Sequence, residues 1–192
     1  MSGLLSQIKK CDHCAEHLPL GPYPIVSFTP KSKIVLLSQA PGRKAHQHQK
    51  AWDDPSGKLL KHWLQVDDDT FYDPDNFAIL PMGFCYPGKG KTGDLPPRKE
   101  CAPKWHNRIW KQLKGVELVF LIGSYAQKEY LKEGYDTLTE NVRQYHEFLP
   151  RFFPLPHPSP VNRFWRMKNP WFEDEVQPFI AQKVNEILGH FE

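Results

Sequence analysis

The chain has 192 residues, enough for one α/β domain with a substantial core. A formal net charge of +3 is mildly basic, so charge alone does not identify a nucleic-acid binder. No apolar run reaches about 18 residues, and no positively charged segment followed by an apolar one opens the chain. The expectation is a soluble, cytoplasmic protein with no membrane partner.

In chain order, an arm over residues 1–30 carries Cys11-Asp12-His13-Cys14, and a strand is predicted over Lys33–Ser38. That strand ends abruptly at Ser38-Gln39-Ala40-Pro41-Gly42, followed by Arg43-Lys44 and His46-Gln47-His48-Gln49. A helix is predicted over Ser56–Gln65 with Ser56 as its N-cap, or with Asp54 in that role. A second strand, Phe77–Met82, leads into a loop rich in Gly, Lys and Pro between Cys85 and Cys101. Then come a helix over Glu100–Leu113, a strand over Glu117–Ile122 and a helix over Ser124–Lys132 capped by Ser124. A last strand, Phe148–Leu155, ends at His157-Pro158-Ser159-Pro160, and a helix closes the chain over Asp174–Gly189. Strands alternating with helices predict a three-layer α/β/α sandwich on a mostly parallel four-stranded sheet. There is no internal repeat or linker, so residues 1–192 read as one domain whose Cys-containing arm is tied to the 85–101 loop. Open sheets of this kind bind ligands at the carboxyl edge, where both the Ser38–Gly42 and His157–Pro160 segments fall.

Cys11, Cys14, Cys85 and Cys101 are the only cysteines. In a reducing compartment they read as metal ligands rather than disulfides. A C-x2-C turn aims two sulfurs at one point, and the second pair closes a tetrahedral set that zinc or a [4Fe-4S] cluster would accept. His13 and His17 are alternative zinc ligands. Free buried cysteines, or a redox C-x2-C with two bystanders, are the competing readings. A closed four-thiolate site leaves no catalytic opening, so its role is structural: to pin the arm to the loop.

Taken together, Cys11/Cys14, Ser38–Gly42, Cys85/Cys101 and His157–Pro160 resemble the uracil-DNA glycosylase superfamily, nearest to its iron–sulfur branch, family four. That branch has an early C-x2-C pair, a G-E-A/G-P-G segment ending the first strand, a later cysteine pair and a final H-P-S motif in the same order. The resemblance implies a monomeric DNA-repair glycosylase that takes a flipped base into its pocket. It also implies an iron–sulfur cluster on the four cysteines, zinc being the alternative. By resemblance Trp52 stacks on the base. His157 donates a hydrogen bond to the base oxygen that gathers negative charge, a donor aimed at developing charge. Gln39, Ala40, Pro41, Gly42, Met82 and Ser159 are expected around the base. Arg43, Asn162, Arg163 and Arg166 are expected on the DNA backbone, with Phe164 or Trp165 filling the gap left by the base.

The chain departs from the family pattern in two motifs. Gln39 stands where family four has glutamate, and Ala40 where other branches have Asp or Asn. Asp53 and Asp54 are the replacement carboxylates for supporting the sugar cation or orienting water. The Asn that reads the uracil edge near the end of the second strand is missing from Ile79-Leu80-Pro81-Met82-Gly83-Phe84. The leading expectation is a monofunctional glycosylase acting on uracil or a related damaged base. A DNA-binding protein without turnover and a hydrolase of free nucleosides are the alternatives.

Overall fold

The computed structural model describes residues 3–189. Its centre is a sheet of four short strands: β1 (Ile34–Leu37), β2 (Phe77–Ile79), β3 (Leu118–Ile122) and β4 (Phe152–Leu155). They lie in the order β2-β1-β3-β4, and every neighbouring pair is parallel. Helix α1 (Gly3–Lys9) precedes the sheet, and α2 (Arg43–His48), α3 (Pro55–Leu64) and α4 (Asp68–Tyr72) connect β1 to β2. Helix α5 (Cys101–Trp110) connects β2 to β3, and α6 (Ser124–Tyr130) and α7 (Leu138–Arg143) connect β3 to β4. Helices α8 (Arg163–Lys168) and α9 (Gln177–Leu188) follow.

The three layers follow from the strands being apolar at every position. Alternate residues point to opposite faces. Ile34, Leu36, Phe77, Ile79, Phe120 and Phe153 pack on one face with Leu60, Trp63, Phe172 and Ile180. Val35, Leu37, Ala78, Leu80, Val119 and Leu121 pack on the other with Ile8, Trp105, Ile109 and Ala126. The exposed side of β2 is covered by the N-terminal arm: Ser27 and Ile79 exchange backbone hydrogen bonds of 3.1 and 2.7 Å. β1 connects to a neighbour on one side and β3 to a neighbour on the other. The direction of winding therefore reverses between these central, still parallel strands, and a crevice opens beyond their carboxyl ends.

Several expectations at the element ends are corrected. The α3 cap is Asp54, whose side chain accepts from the Gly57 N–H, while Ser56 is buried inside the helix. Gly123, at φ +85°, takes the cap position of α6, and Ser124 is its first residue. The expected fourth strand is halved: a 3-10 turn over Tyr145–Phe148 and a further turn over residues 149–151 precede it, and the strand itself begins at Phe152. The last helix begins earlier than expected, through a π turn at Phe172–Val176 that runs into α9. Helices α1, α2, α4, α7 and α8 were not anticipated; none exceeds seven residues, too short for an apolar period to show. No helix among the described residues is long and apolar enough to cross a membrane.

Candidate active site

A cleft of about 630 Å³ opens at the carboxyl edge of the sheet. The loop after β1 supplies Ser38 to Arg43, the end of β2 supplies Ile79 and Pro81, and the loop after β4 supplies His157 and Ser159 to Asn162. Backbone pairing continues beyond the strands and fixes the first loop. The N–H of Leu80 donates to Leu36 O at 3.0 Å, that of Met82 to Ser38 O at 2.7 Å, and that of Gly83 to Gln39 O at 3.0 Å. Strand alternation also decides which side chains reach the cleft. Ile79 and Pro81 share one parity and line it, whereas Met82 has the other and is buried with Leu80 and Phe84 in the opposite core. Met82 is therefore not at the site.

Trp52 and His157 come together in the cleft with ring centroids 5.8 Å apart and planes inclined by 32°. Trp52 has a left-handed backbone, φ +58°, which is costly for a bulky residue and persists only where packing imposes it. Its neighbour across the turn is Gly57: a Cβ there would lie 1.7 Å from the Trp52 carbonyl oxygen. The absent side chain at Gly57 lets the tryptophan turn close. His157 is half-buried beside Gly123, where a Cβ would stand 3.5 Å from the His157 Cβ. Burial pushes the His157 pKa down, and the nearby Asp54 carboxylate opposes that shift. The ring is thus held toward its neutral form, with one N–H to donate. Among the described residues no protein group hydrogen-bonds it.

Asp54 serves two ends at once. Its Oδ1 accepts the Gly57 N–H at 2.8 Å, capping α3, and its Oδ2 reaches the cleft, 3.9 Å from where a Gly42 Cβ would be. Asp53 turns away: its Oδ2 pairs with His48 Nδ1 at 2.7 Å along a neighbouring groove, outside the cleft. A carboxylate overlooked in the sequence, Asp94, lines the cleft instead, together with Thr92 and Gly93. Its signal is the Gly90/Gly93 pair that closes a tight hairpin in the 85–101 loop.

The His157 loop is braced from within. The Asn162 side-chain amide donates to His157 O at 2.8 Å, and Ser159 Oγ accepts the Val161 N–H at 3.4 Å. Gln127 donates to Leu155 O at 3.0 Å and accepts from Asn141 at 3.3 Å, joining β4 to α6 and α7. Pro81 is held by a buried chain of three groups. Trp110 Nε1 donates to Tyr130 Oη at 2.9 Å, Tyr130 pairs with His106 Nδ1 at 2.8 Å, and His106 Nε2 pairs with Pro81 O at 3.0 Å. Burial lowers the His106 pKa, so the neutral ring accepts from Tyr130 and donates to Pro81.

At the mouth of the cleft and beyond it, Val161, Phe164 and Met167 are exposed by 78, 59 and 72%, forming an apolar rim. Arg163 is exposed and lies over the Phe164 ring at 4.7 Å. Two expectations fail here. Arg166 is largely buried, with its Nε 3.5 Å from Glu173, and is not free for a phosphate. Trp165 is anchored inward: its Nε1 donates to Thr139 at 2.8 Å, and its ring meets Trp171 and Phe172 edge-on.

The four cysteines line one small cavity beneath the N-terminal arm, with Arg98 and Trp105 in its wall. All four are free thiols, and His13 and His17 are exposed and outside the cavity. As they stand, no three His, Cys, Asp or Glu side chains among the described residues form a metal-holding group. The surroundings nevertheless fit an anionic metal–thiolate centre. The Phe84 N–H donates to Cys101 Sγ at 3.4 Å, and the buried Nε of Arg98 has no partner. Burial raises the Cys85 thiol to about 11 and Cys101 to about 12, so these two would give up their protons readily only to a metal.

The fold and cleft define an α/β protein that offers a planar ligand an aromatic face, a neutral histidine at its edge and two carboxylates. The chain belongs to the uracil DNA glycosylase superfamily, whose family profile matches residues 26–180. It is also similar to the solution NMR structure of a "putative Uracil DNA glycosylase" from Methanosarcina acetivorans. That match has 13% sequence identity and a TM-score of 0.47, and covers 82% of this chain and 94% of that one.

Proposed function

We propose that this protein is a monofunctional DNA glycosylase that draws a deaminated or damaged base out of DNA and hydrolyses its N-glycosidic bond with water. The observation that carries this reading is the placing of Trp52 beside an unpartnered, neutral His157 at the carboxyl edge of the sheet. A flipped base stacks on Trp52 and presents its oxygen to the His157 N–H. As the bond breaks, negative charge gathers on the base and positive charge on the sugar. The histidine donor meets the first and the Asp54 carboxylate the second.

The cleft also bears on which base enters. Ile79 and Pro81 offer an apolar wall, and the Pro81 carbonyl is already engaged by His106. Selection therefore rests on stacking, on Gln39 and on the loop backbone rather than on a bidentate Asn contact. Arg43 and Arg163 meet the DNA phosphates, and Val161 and Phe164 enter the space the base vacates. The protein acts as a monomer. The four cysteines hold an iron–sulfur cluster or zinc, which when bound ties the N-terminal arm to the wall of the cleft.

A second reading is that the protein recognises damaged or single-stranded DNA without cleavage. What favours it is the lack of a carboxylate at Gln39 and Ala40 in the first loop. Base release from labelled oligonucleotides carrying uracil, hypoxanthine or xanthine, single- and double-stranded, separates the two. Release that disappears in His157→Ala is the expected result. Tight binding to one lesion with no release establishes the second reading.

A further inference from the structure

The segment between Cys85 and Cys101 folds into a tight hairpin. Lys89 and Asp94 face each other as an antiparallel bridge, the Gly90 N–H donates to Gly93 O at 2.6 Å, and the Leu95 N–H donates to Gly88 O at 2.8 Å. Gly88 at φ +109° lets the hairpin lie against Pro19 of the arm, 3.2 Å from where a Cβ would be. The tip is therefore anchored from below, and its returning strand carries Asp94 into the cleft.

There Asp94 meets the first loop at its last residue. A Cβ on Gly42 would stand 3.6 Å from Asp94 Oδ2 and 3.9 Å from Asp54 Oδ2, so two carboxylates from separate segments converge on the backbone of Gly42. Their surroundings differ. Asp54 spends one oxygen on the Gly57 cap and stands near His157. Asp94 is approached by the Tyr86 hydroxyl and the Lys89 ammonium, with Asp54 beyond, while Arg43 faces Tyr86. Burial raises the Asp94 pKa, against the opposing pull of the Tyr86 hydroxyl and the Lys89 charge.

We propose that Asp94, carried by the hairpin rather than by the first loop, is the catalytic carboxylate that activates the attacking water. This rests on the glycosylase reading above. The C1′–N bond breaks and its electron pair leaves with the base, whose charge His157 meets. Water oxygen then bonds to C1′ while Asp94 takes the water proton. That proton passes on to the departed base through solvent, giving a C1′ hydroxyl and a neutral base. Asp54 faces the sugar cation.

The test is single-turnover base release from the same uracil, hypoxanthine and xanthine oligonucleotides by wild type, His157→Ala, Asp94→Asn and Asp94→Ala, each checked by thermal melting and oligonucleotide binding. Both Asp94 variants should bind DNA as wild type does and release base at least 100-fold more slowly. Added formate should restore turnover in Asp94→Ala but not in His157→Ala, a rescue that loss of a merely structural contact would not produce. In wild type the rate should fall as acid protonates Asp94. Asp94 variants with wild-type rates, in the presence of a dead His157→Ala, overturn this assignment and leave the glycosylase reading standing. Slow variants that formate does not rescue also overturn it. No release by wild type from any of the oligonucleotides overturns the reading and this assignment together.

Discussion

Two positions around Trp52 decide the shape of the site. Gly57 is one: any side chain there collides with the Trp52 carbonyl, and backbone cannot yield as a flexible side chain could. Gly57→Ala should lower the melting temperature by an amount corresponding to at least about 2 kcal/mol, within the range for strained or overpacked positions. Tryptophan fluorescence should change with it, because Trp52 can no longer keep its left-handed turn. Asp54 is the other, and its two oxygens can be separated by mutation. Asparagine still caps a helix, so Asp54→Asn should keep wild-type stability while slowing base release. Asp54→Ala should slow release and also lose about 1 kcal/mol of stability, read by denaturant melting. Equal stability of the two variants would show that the cap contributes nothing.

At the scale of elements, the hairpin and the N-terminal arm act as one support. The arm pairs with β2 through Ser27 and reaches the loop after β2, where the Ile25 N–H donates to Phe84 O at 2.7 Å. The cysteines bridge the same two segments. With the proposed metal on the four cysteines, Cys85→Ser should lose metal and thermal stability together, measured by elemental analysis and melting of one preparation. It should also slow base release, since the hairpin bearing Asp94 begins at that residue. Normal metal content in the variant would remove Cys85 from the ligand set, and the element detected decides between iron and zinc. The strands were legible in the sequence because each is a short apolar run closed by turn residues. The hairpin was not, because its glycines and lysines have no apolar period and its pairing spans only a few residues.

For the whole molecule, two titrating histidines set a pH dependence. His106 and His157 both have pKa values held below the ordinary 6.5 by burial. The unfolded chain takes up protons below about 6.5 that the folded chain refuses, so stability is full above that pH and is lost as pH falls toward the folded values. Melting temperature should drop between pH 7.5 and 5.5, and the drop should be smaller in His106→Asn, although that variant starts from lower stability. An unchanged slope would mean that His106 takes up its proton in the folded protein as readily as in the unfolded chain. The proposed DNA binding through Arg43 and Arg163 should weaken steeply with added salt through counterion release. Arg163→Ala should lower that slope, whereas Arg166→Ala, already paired to Glu173, should leave it nearly unchanged and cost stability instead.

The sequence by itself determined the parallel sheet, the two loops at its carboxyl edge and the start of α3. Each of these follows from local causes: apolar runs of strand length, proline and glycine at their ends, and a cap just before α3. Only the tertiary structure decided which carboxylates face the cleft. Asp53 and Asp54 are adjacent, yet the turn at Trp52 sends one to His48 and the other to the cap and the cleft. Asp94 arrives from a hairpin some fifty residues beyond the loop it meets. Met82 missed the site by one step of strand parity, and Arg166 was claimed by a glutamate of the following turn. Local pattern fixes where a chain turns and which way its strands face. Which side chains meet depends on packing between segments distant in sequence, and no local period records that.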